Sequence, residues 1–329
     1  MKIVALEEHL ITPDIVAAWR ALGPAEQDLG VPLSTGGDIE RRLLDLADVR
    51  LAAMDEAGVD VQVLSVSTPG VQTIDPARAV SVARAANDLI AATVDRRPDR
   101  FQGFATLPLG APQEAARELE RAVVNLGLNG AMLFGRVGDR NLDHPDFRPV
   151  LETAAKLRAP IYLHPQSPPP GVRRAYYQGL GDKVEHLFGT AGIGWHYESG
   201  MQALRLVLSG TLDRLPDLRL ILGHWGEVVL FYLERIEMLN QVVELDRPIS
   251  EYFQRNVWVT PSGIFSQRYL RWAVEVMGIE RIMFAVDYPF LPAKDRIARR
   301  FLEETKLETV DCEKIASDNW ERLVADIRR

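Results

Sequence analysis

Glu7 and His9 stand two apart at the end of the apolar run Ile3-Val4-Ala5-Leu6. In an extended strand, residues two apart project to the same side. The pair would therefore present a carboxylate and an imidazole together, half of a divalent metal site. Candidates for the other half end other apolar runs: His164 after Ile161-Tyr162-Leu163, His224 after Leu222-Gly223, and Asp287 after Phe284-Ala285-Val286. Each alone reads as a hydrogen-bonding cap; four such runs ending this way point to one rim. Glu7, His9, His164 and Asp287 are the expected ligands of a single Zn²⁺ or Mn²⁺ ion, with positions left for water or substrate. His224 is the expected acid/base beside the ion, and Glu227, three residues on, the group that orients its imidazole. Glu8 is expected to face away. His144 reads as a turn residue and His186 has no evident partner. For His196, after Trp195, substrate contact is the minority reading.

Positioning these groups requires elements that bring strand ends together. The runs expected as strands are Ile3–Glu8, Val61–Val66, Gly103–Leu107, Gly130–Phe134, Pro160–His164, Leu218–Gly223, Asn256–Thr260 and Arg281–Val286. Several are continuously apolar, as in parallel strands covered on their outer face. Helical periodicity falls between them, over Ile39–Ala57, Pro76–Asp95, Pro112–Leu126, Pro145–Lys156, Met201–Arg214, Glu227–Leu239, Ser266–Met277 and Cys312–Ile327. This alternation, without a dinucleotide-type glycine turn, predicts an α/β chain folded as a (β/α)8 TIM barrel in one domain, 1–329. A doubly wound open sheet is the alternative. In a barrel, the C-terminal strand ends converge on one face, where such enzymes build their sites.

Two connections exceed simple linkers, Ile11–Gly37 and Pro165–Gly200. The second opens with Ser167-Pro168-Pro169-Pro170-Gly171, a stiff extended segment, and carries Tyr176, Tyr177, Trp195 and Tyr197. It is expected to form a lid over the rim.

Composition narrows the function. With 47% hydrophobic and 26% charged residues over 329 positions, the chain has ample material for a globular core. A net charge of −8 argues against nucleic-acid binding. No run reaches the roughly 18 apolar residues of a membrane span. No signal peptide is apparent, and the lone Cys312 fits a reducing, cytoplasmic setting.

The sequence resembles the decarboxylase branch of the metal-dependent amidohydrolase superfamily, which includes γ-resorcylate, 2,3-dihydroxybenzoate, 5-carboxyvanillate and aminocarboxymuconate semialdehyde decarboxylases. Glu7-x-His9 is similar to the Glu-x-His start of the hydroxybenzoate decarboxylases, where hydrolytic members usually carry His-x-His. The similarity continues through Ser67-Thr68-Pro69-Gly70-Val71-Gln72, Leu107-Pro108-Leu109, Leu163-His164-Pro165, Leu222-Gly223-His224-x-Gly226-Glu227 and Asp287-Tyr288-Pro289-Phe290. It implies Glu7, His9, His164 and Asp287 as metal ligands and His224 with Glu227 as the catalytic pair. It also implies that Arg235 reaches a neighbouring subunit's site in a homodimer or homotetramer. Arg235 lies eight positions past Glu227, about 12 Å along a helix at about 1.5 Å per residue, too far to serve its own site easily. The implied reaction is non-oxidative decarboxylation of an ortho-hydroxy aromatic carboxylate. Asp287 would be the acid, Phe290, Trp195 and Tyr288 would wall the ring, and no organic cofactor is needed. Val228-Val229 and Trp225 depart from the branch's usual Gly-Pro and Met, so a reshaped pocket wall is expected. A metal-dependent hydrolase of a lactone or cyclic amide, a hydratase, and a non-catalytic binder of a small acid are the alternatives.

Overall fold

The computed structural model describes residues 1–23, 26–291 and 294–329; Pro24 and Ala25, in the first long connection, lie outside the described residues. The apolar runs pair as parallel strands β1 (Val4–Leu10), β2 (Val61–Val66), β3 (Phe101–Gly103), β4 (Ala105–Thr106), β5 (Ala131–Leu133), β6 (Ile161–Leu163), β7 (Leu220–Leu222) and β8 (Val257–Val259). The third expected strand is divided: β3 pairs with β2, and β4 with β5. Phe104 sits at the division and donates its N–H to Leu64 O. β1 pairs with β2, and β5 through β8 pair in chain order. The last run makes isolated parallel bridges, Val259↔Ile282 toward β8 and Ala5↔Phe284 and Glu8↔Tyr288 toward β1, instead of the continuous strand expected over Arg281–Val286.

Helices α1 (Pro13–Arg20), α2 (Asp48–Ala57), α3 (Pro76–Arg96), α4 (Pro112–Val124), α5 (Arg148–Leu157), α6 (Gly194–Leu208), α7 (Val229–Ile236), α8 (Gln267–Met277) and α9 (Asn319–Ala325) lie between and after the strands. Where a helix was expected over Ile39–Ala57, two form, Gly37–Leu44 and α2. Asp45 breaks the run because its Oδ1 accepts the N–H groups of Ala47 and Arg50, the local bonding by which Asp competes with helix. The 165–200 connection is largely helical and not an extended loop. Its opening residues before Pro170 and a break at 178–181 lack helix, and α6 begins at Gly194. No helix among the described residues is long and apolar enough to cross a membrane.

One irregularity in β1 decides which side chains reach the site. Val4 and Leu6 join the inner apolar cluster with Val61, Val63, Met132, Tyr162 and Ile221, whereas Ile3, Ala5 and Leu10 join the outer one. Strict alternation from Leu6 would send Glu8 inward and Glu7 and His9 outward. The β1–β2 register shifts between Ala5 and Glu8, and this bulge re-aims the strand. Glu7 then meets the inner-face Tyr162, and Glu8 meets the outer-face Gln62.

Behind the strand lies a buried charge relay. Glu8 accepts from Gln62 Nε2 at 2.9 Å and from Val286 N–H at 2.9 Å. Arg50 donates to Gln62 Oε1 at 3.1 Å and to His9 O at 2.5 Å. Both charged residues are fully buried. Burial pushes the Glu8 carboxyl up to about 8, against the Val286 N–H and the Arg50 charge. Burial likewise brings the Arg50 guanidinium down to about 10.

Candidate metal centre

Glu7, His9 and His164 converge at the C-terminal ends of β1 and β6. His164 Nε2 lies 3.1 Å and His9 Nε2 3.9 Å from Glu7 Oε1, and one ligand atom from each residue falls within 4.8 Å of the others. Asp287 lies beside this trio, with Oδ1 3.4 Å from His9 Nε2. Its φ of +68° is a left-handed conformation that Asp tolerates better than most residues.

The donor set fits a divalent cation. His164 Nδ1 donates to Pro165 O at 2.8 Å, which turns Nε2 toward Glu7. Glu7 Oε1 and His9 Nε2 are buried without a hydrogen-bond partner. Unshared electron pairs facing one another in a buried space carry a desolvation cost that a cation removes. Burial works against the charge on Glu7, but the imidazoles of His224, His164 and His9 hold its carboxyl well below the usual range. His9 is lowered as well, which for an imidazole favours the neutral form, because burial disfavours its charged form more than Asp287 supports it. A carboxylate beside a neutral imidazole is the state a metal ligand set needs.

Glu7 is itself held from behind. Its Oε2 accepts from Tyr162 Oη at 2.5 Å and from Ser262 Oγ, and Tyr162 Oη also lies 2.8 Å from Thr260 Oγ1. Burial raises the Tyr162 phenol well above its ordinary value, so it remains a donor. Gly223 permits this packing: a Cβ there would lie 2.9 Å from Glu7 Oε2. Tyr162→Phe is expected to weaken metal affinity by about 10–100-fold, measured by competition with a chelator of known affinity. Unchanged affinity would mean that Ser262 alone orients Glu7.

His224 and Glu227 sit in a turn quite unlike the expected helix start. His224, Trp225, Gly226, Glu227 and Val228 all have positive φ, at 47°, 60°, 87°, 52° and 61°. Left-handed backbone costs roughly 1–2 kcal/mol per non-glycine residue and clusters at functional sites. Its result is that His224 Nδ1 donates to Glu227 Oε1 at 2.8 Å while Nε2 lies 3.9 Å from Asp287 Oδ2. Burial opposes charge on His224, but Glu227 and then Glu7 outweigh it and raise its basicity well above the ordinary value. Burial likewise opposes charge on Glu227, yet His224 and His196 hold it low.

His164, His224 and Asp287 border a cavity of about 450 Å³, also lined by Thr68, Trp195, Phe290, Leu33, Ile264 and Leu187. Trp195 and Phe290, the ring walls expected from the sequence, line this cavity. Tyr288 does not. It is adjacent to Asp287 and points the opposite way, its ring under the Arg50 guanidinium at 4.5 Å. Arg235 is exposed near the end of α7, away from this cavity. Trp225 also turns away, donating to Ile264 O and packing on Phe301, so it shapes the wall only through Ile264. Sequence reasoning missed Tyr162, Thr68 and Ser262. Tyr162 was legible, two residues before His164 and hence on the same side. Thr68 lies inside the motif Ser67-Thr68-Pro69, and its buried Oγ1 has no partner. His196, the minority candidate, bonds Glu227.

An amidohydrolase family model matches residues 38–325. A γ-resorcylate decarboxylase from Rhizobium radiobacter is 37% identical over 335 aligned positions, covering 97% of each chain. Among solved structures, 5-carboxyvanillate decarboxylase from Sphingomonas paucimobilis superposes with a TM-score of 0.89 at 34% identity, covering 98% of this chain and 99% of that one. A dihydroxybenzoic acid decarboxylase from Polaromonas sp. JS666, with bound manganese and the inhibitor 2-nitroresorcinol, gives a TM-score of 0.85 at 33% identity over 98% and 97%.

Proposed function

We propose that this chain, which belongs to the amidohydrolase family, is a metal-dependent decarboxylase of hydroxybenzoate-like acids, a carboxy-lyase that protonates the ring carbon from which carbon dioxide leaves. The carrying observation is the pair of orphaned buried atoms, Glu7 Oε1 and His9 Nε2, beside Asp287 on a cavity that His224 also lines, with Glu227 buried behind His224. Glu7, His9, His164 and Asp287 would hold one ion; a donor set of nitrogen and oxygen without thiolate suits Mn²⁺ or Zn²⁺. When bound, the ion supplies positive charge that orients and stabilises the acid's anionic oxygens.

The chain's own groups do the rest. Asp287 lies between the ligand cluster and His224, and delivers the proton to the ring carbon. His224, basic and paired to the Glu227 carboxylate, keeps a proton in store beside Asp287. The balance is simple: the carbon–carboxyl bond breaks, carbon dioxide leaves, and the proton takes the vacated electron pair. Phe290 and Trp195 flank the ring, and the aliphatic wall keeps water away. No organic cofactor enters this scheme.

The parallel ladders from β1 to β8, joined by the 282–288 bridges, support a closed (β/α)8 barrel in one domain. The 165–200 connection, which gives Leu187, Ala191 and Trp195 to the cavity, is its lid. The α7 surface, with Phe231 73% and Tyr232 56% exposed beside Arg235, suits a homodimer or homotetramer contact. The lone buried Cys312 accords with a cytoplasmic setting. Chelation should stop carbon dioxide release from a hydroxybenzoate panel, and Mn²⁺ or Zn²⁺ should restore it. Release unaffected by chelation would contradict the metal assignment.

A further inference from the structure

The candidate acid/base pair has a third member that the proposed mechanism leaves unused. His196, in the first turn of α6, directs Nδ1 to Glu227 Oε2 at 2.8 Å, the oxygen not taken by His224. Its Nε2 faces the carbonyl oxygen of Ala191 at 3.1 Å. The His196 and His224 rings stand 4.4 Å apart, both on the cavity. One carboxylate therefore receives an imidazole on each oxygen.

The backbone is built for this contact. Gly200 lies one turn beyond His196 and on the same helix face. A Cβ at Gly200 would come within 2.4 Å of the carbonyl oxygen of Glu227. Helix α6 thus rests directly on the 224–228 turn through a glycine, and that close seat delivers His196 to Glu227. On the other side, Ala191 belongs to the same stretch as Leu187 and Trp195, which wall the cavity.

We infer that His196 is a positioning residue with two separable tasks: through Nδ1 it fixes Glu227 for His224, and through Nε2 it fixes the 187–195 wall against substrate. The inference rests on the decarboxylase reading of the same cavity. Asn and Ala divide the tasks. Asn carries a donor nitrogen where His has Nδ1 but no atom that reaches Ala191, whereas Ala has neither.

The test measures kcat and KM for carbon dioxide release by metal-loaded wild type, His196→Asn and His196→Ala. His196→Ala should lose about 10–100-fold in kcat, the scale for a hydrogen bond to a charged group. His196→Asn should restore most of kcat while KM stays raised severalfold. The proton spectrum of metal-free protein gives a readout independent of turnover. Two downfield N–H resonances from histidines bonded to Glu227 are expected in wild type, both lost in Glu227→Ala and only one in His196→Ala. A kcat for His196→Ala within twofold of wild type, equal losses in both variants, or a single such resonance in wild type would overturn the inference. Absence of turnover in wild type with both resonances present would count against the decarboxylase reading and leave the positioning of Glu227 standing.

Discussion

Asp287→Asn protein is expected to keep its metal and lose about 10²–10⁴-fold in kcat, the range spanned by a positioned proton donor. Asn preserves the shape and offers an oxygen where Asp287 Oδ1 stands 3.4 Å from His9 Nε2. Glu7, His9 and His164 remain to bind the ion. The amide cannot carry a transferable proton between His224, 3.9 Å away, and the ring carbon. Metal content by elemental analysis and single-turnover carbon dioxide release separate the two effects. Near wild-type turnover would remove Asp287 from the acid role and leave His224 as the direct donor.

The second large effect lies behind the site. At pH 9, where Glu8 is ionised, Arg50→Met should destabilise the fold by about 3–5 kcal/mol, because it leaves that carboxylate buried without its compensating cation. It also removes the bond that Arg50 makes to the backbone of His9, a proposed ligand. The pH dependence has a definite sign. Burial places the folded-state Glu8 pKa at about 8, above its ordinary 4.5. A raised acid contributes stability that is complete below the unfolded value and is lost as pH rises through the folded one. Without Arg50 that pKa moves higher still, so the loss is larger. Unfolding measured at pH 6 and pH 9 should show the gap between variant and wild type widening with pH. A gap independent of pH would mean that Arg50 acts through packing and its backbone bond alone.

Much of the site was readable from residue types and positions. Glu7 with His9, His164, His224 and Asp287 each ended an apolar run, and parallel pairing brings those ends to one rim. The same alternation argument excludes Tyr288, adjacent to Asp287, as it excluded Glu8. What could not be read depends on backbone detail. The bulge that turns Glu7 inward right after the inward Leu6 leaves no mark in side-chain type. The left-handed turn through Trp225, Glu227 and Val228 occupies residues with no preference for it, Val least of all. Tertiary packing on Thr260 and Gly200 sustains it. His196 was obscured for another reason: it stands in the 165–200 connection, which shows no periodic pattern, and its partner lies 31 residues away, beyond a helix and a strand. The divided helix at Asp45 was legible in principle, since Asp bonds its own following N–H groups readily.

The most direct measurement uses metal-loaded enzyme with carboxyl-¹³C hydroxybenzoates in D₂O. The account predicts ¹³CO₂ and an equal amount of phenolic product carrying deuterium at the carbon that held the carboxyl group. Hydrolysis of a lactone or cyclic amide by the same preparation, with no ¹³CO₂ from any acid in the panel, would contradict it.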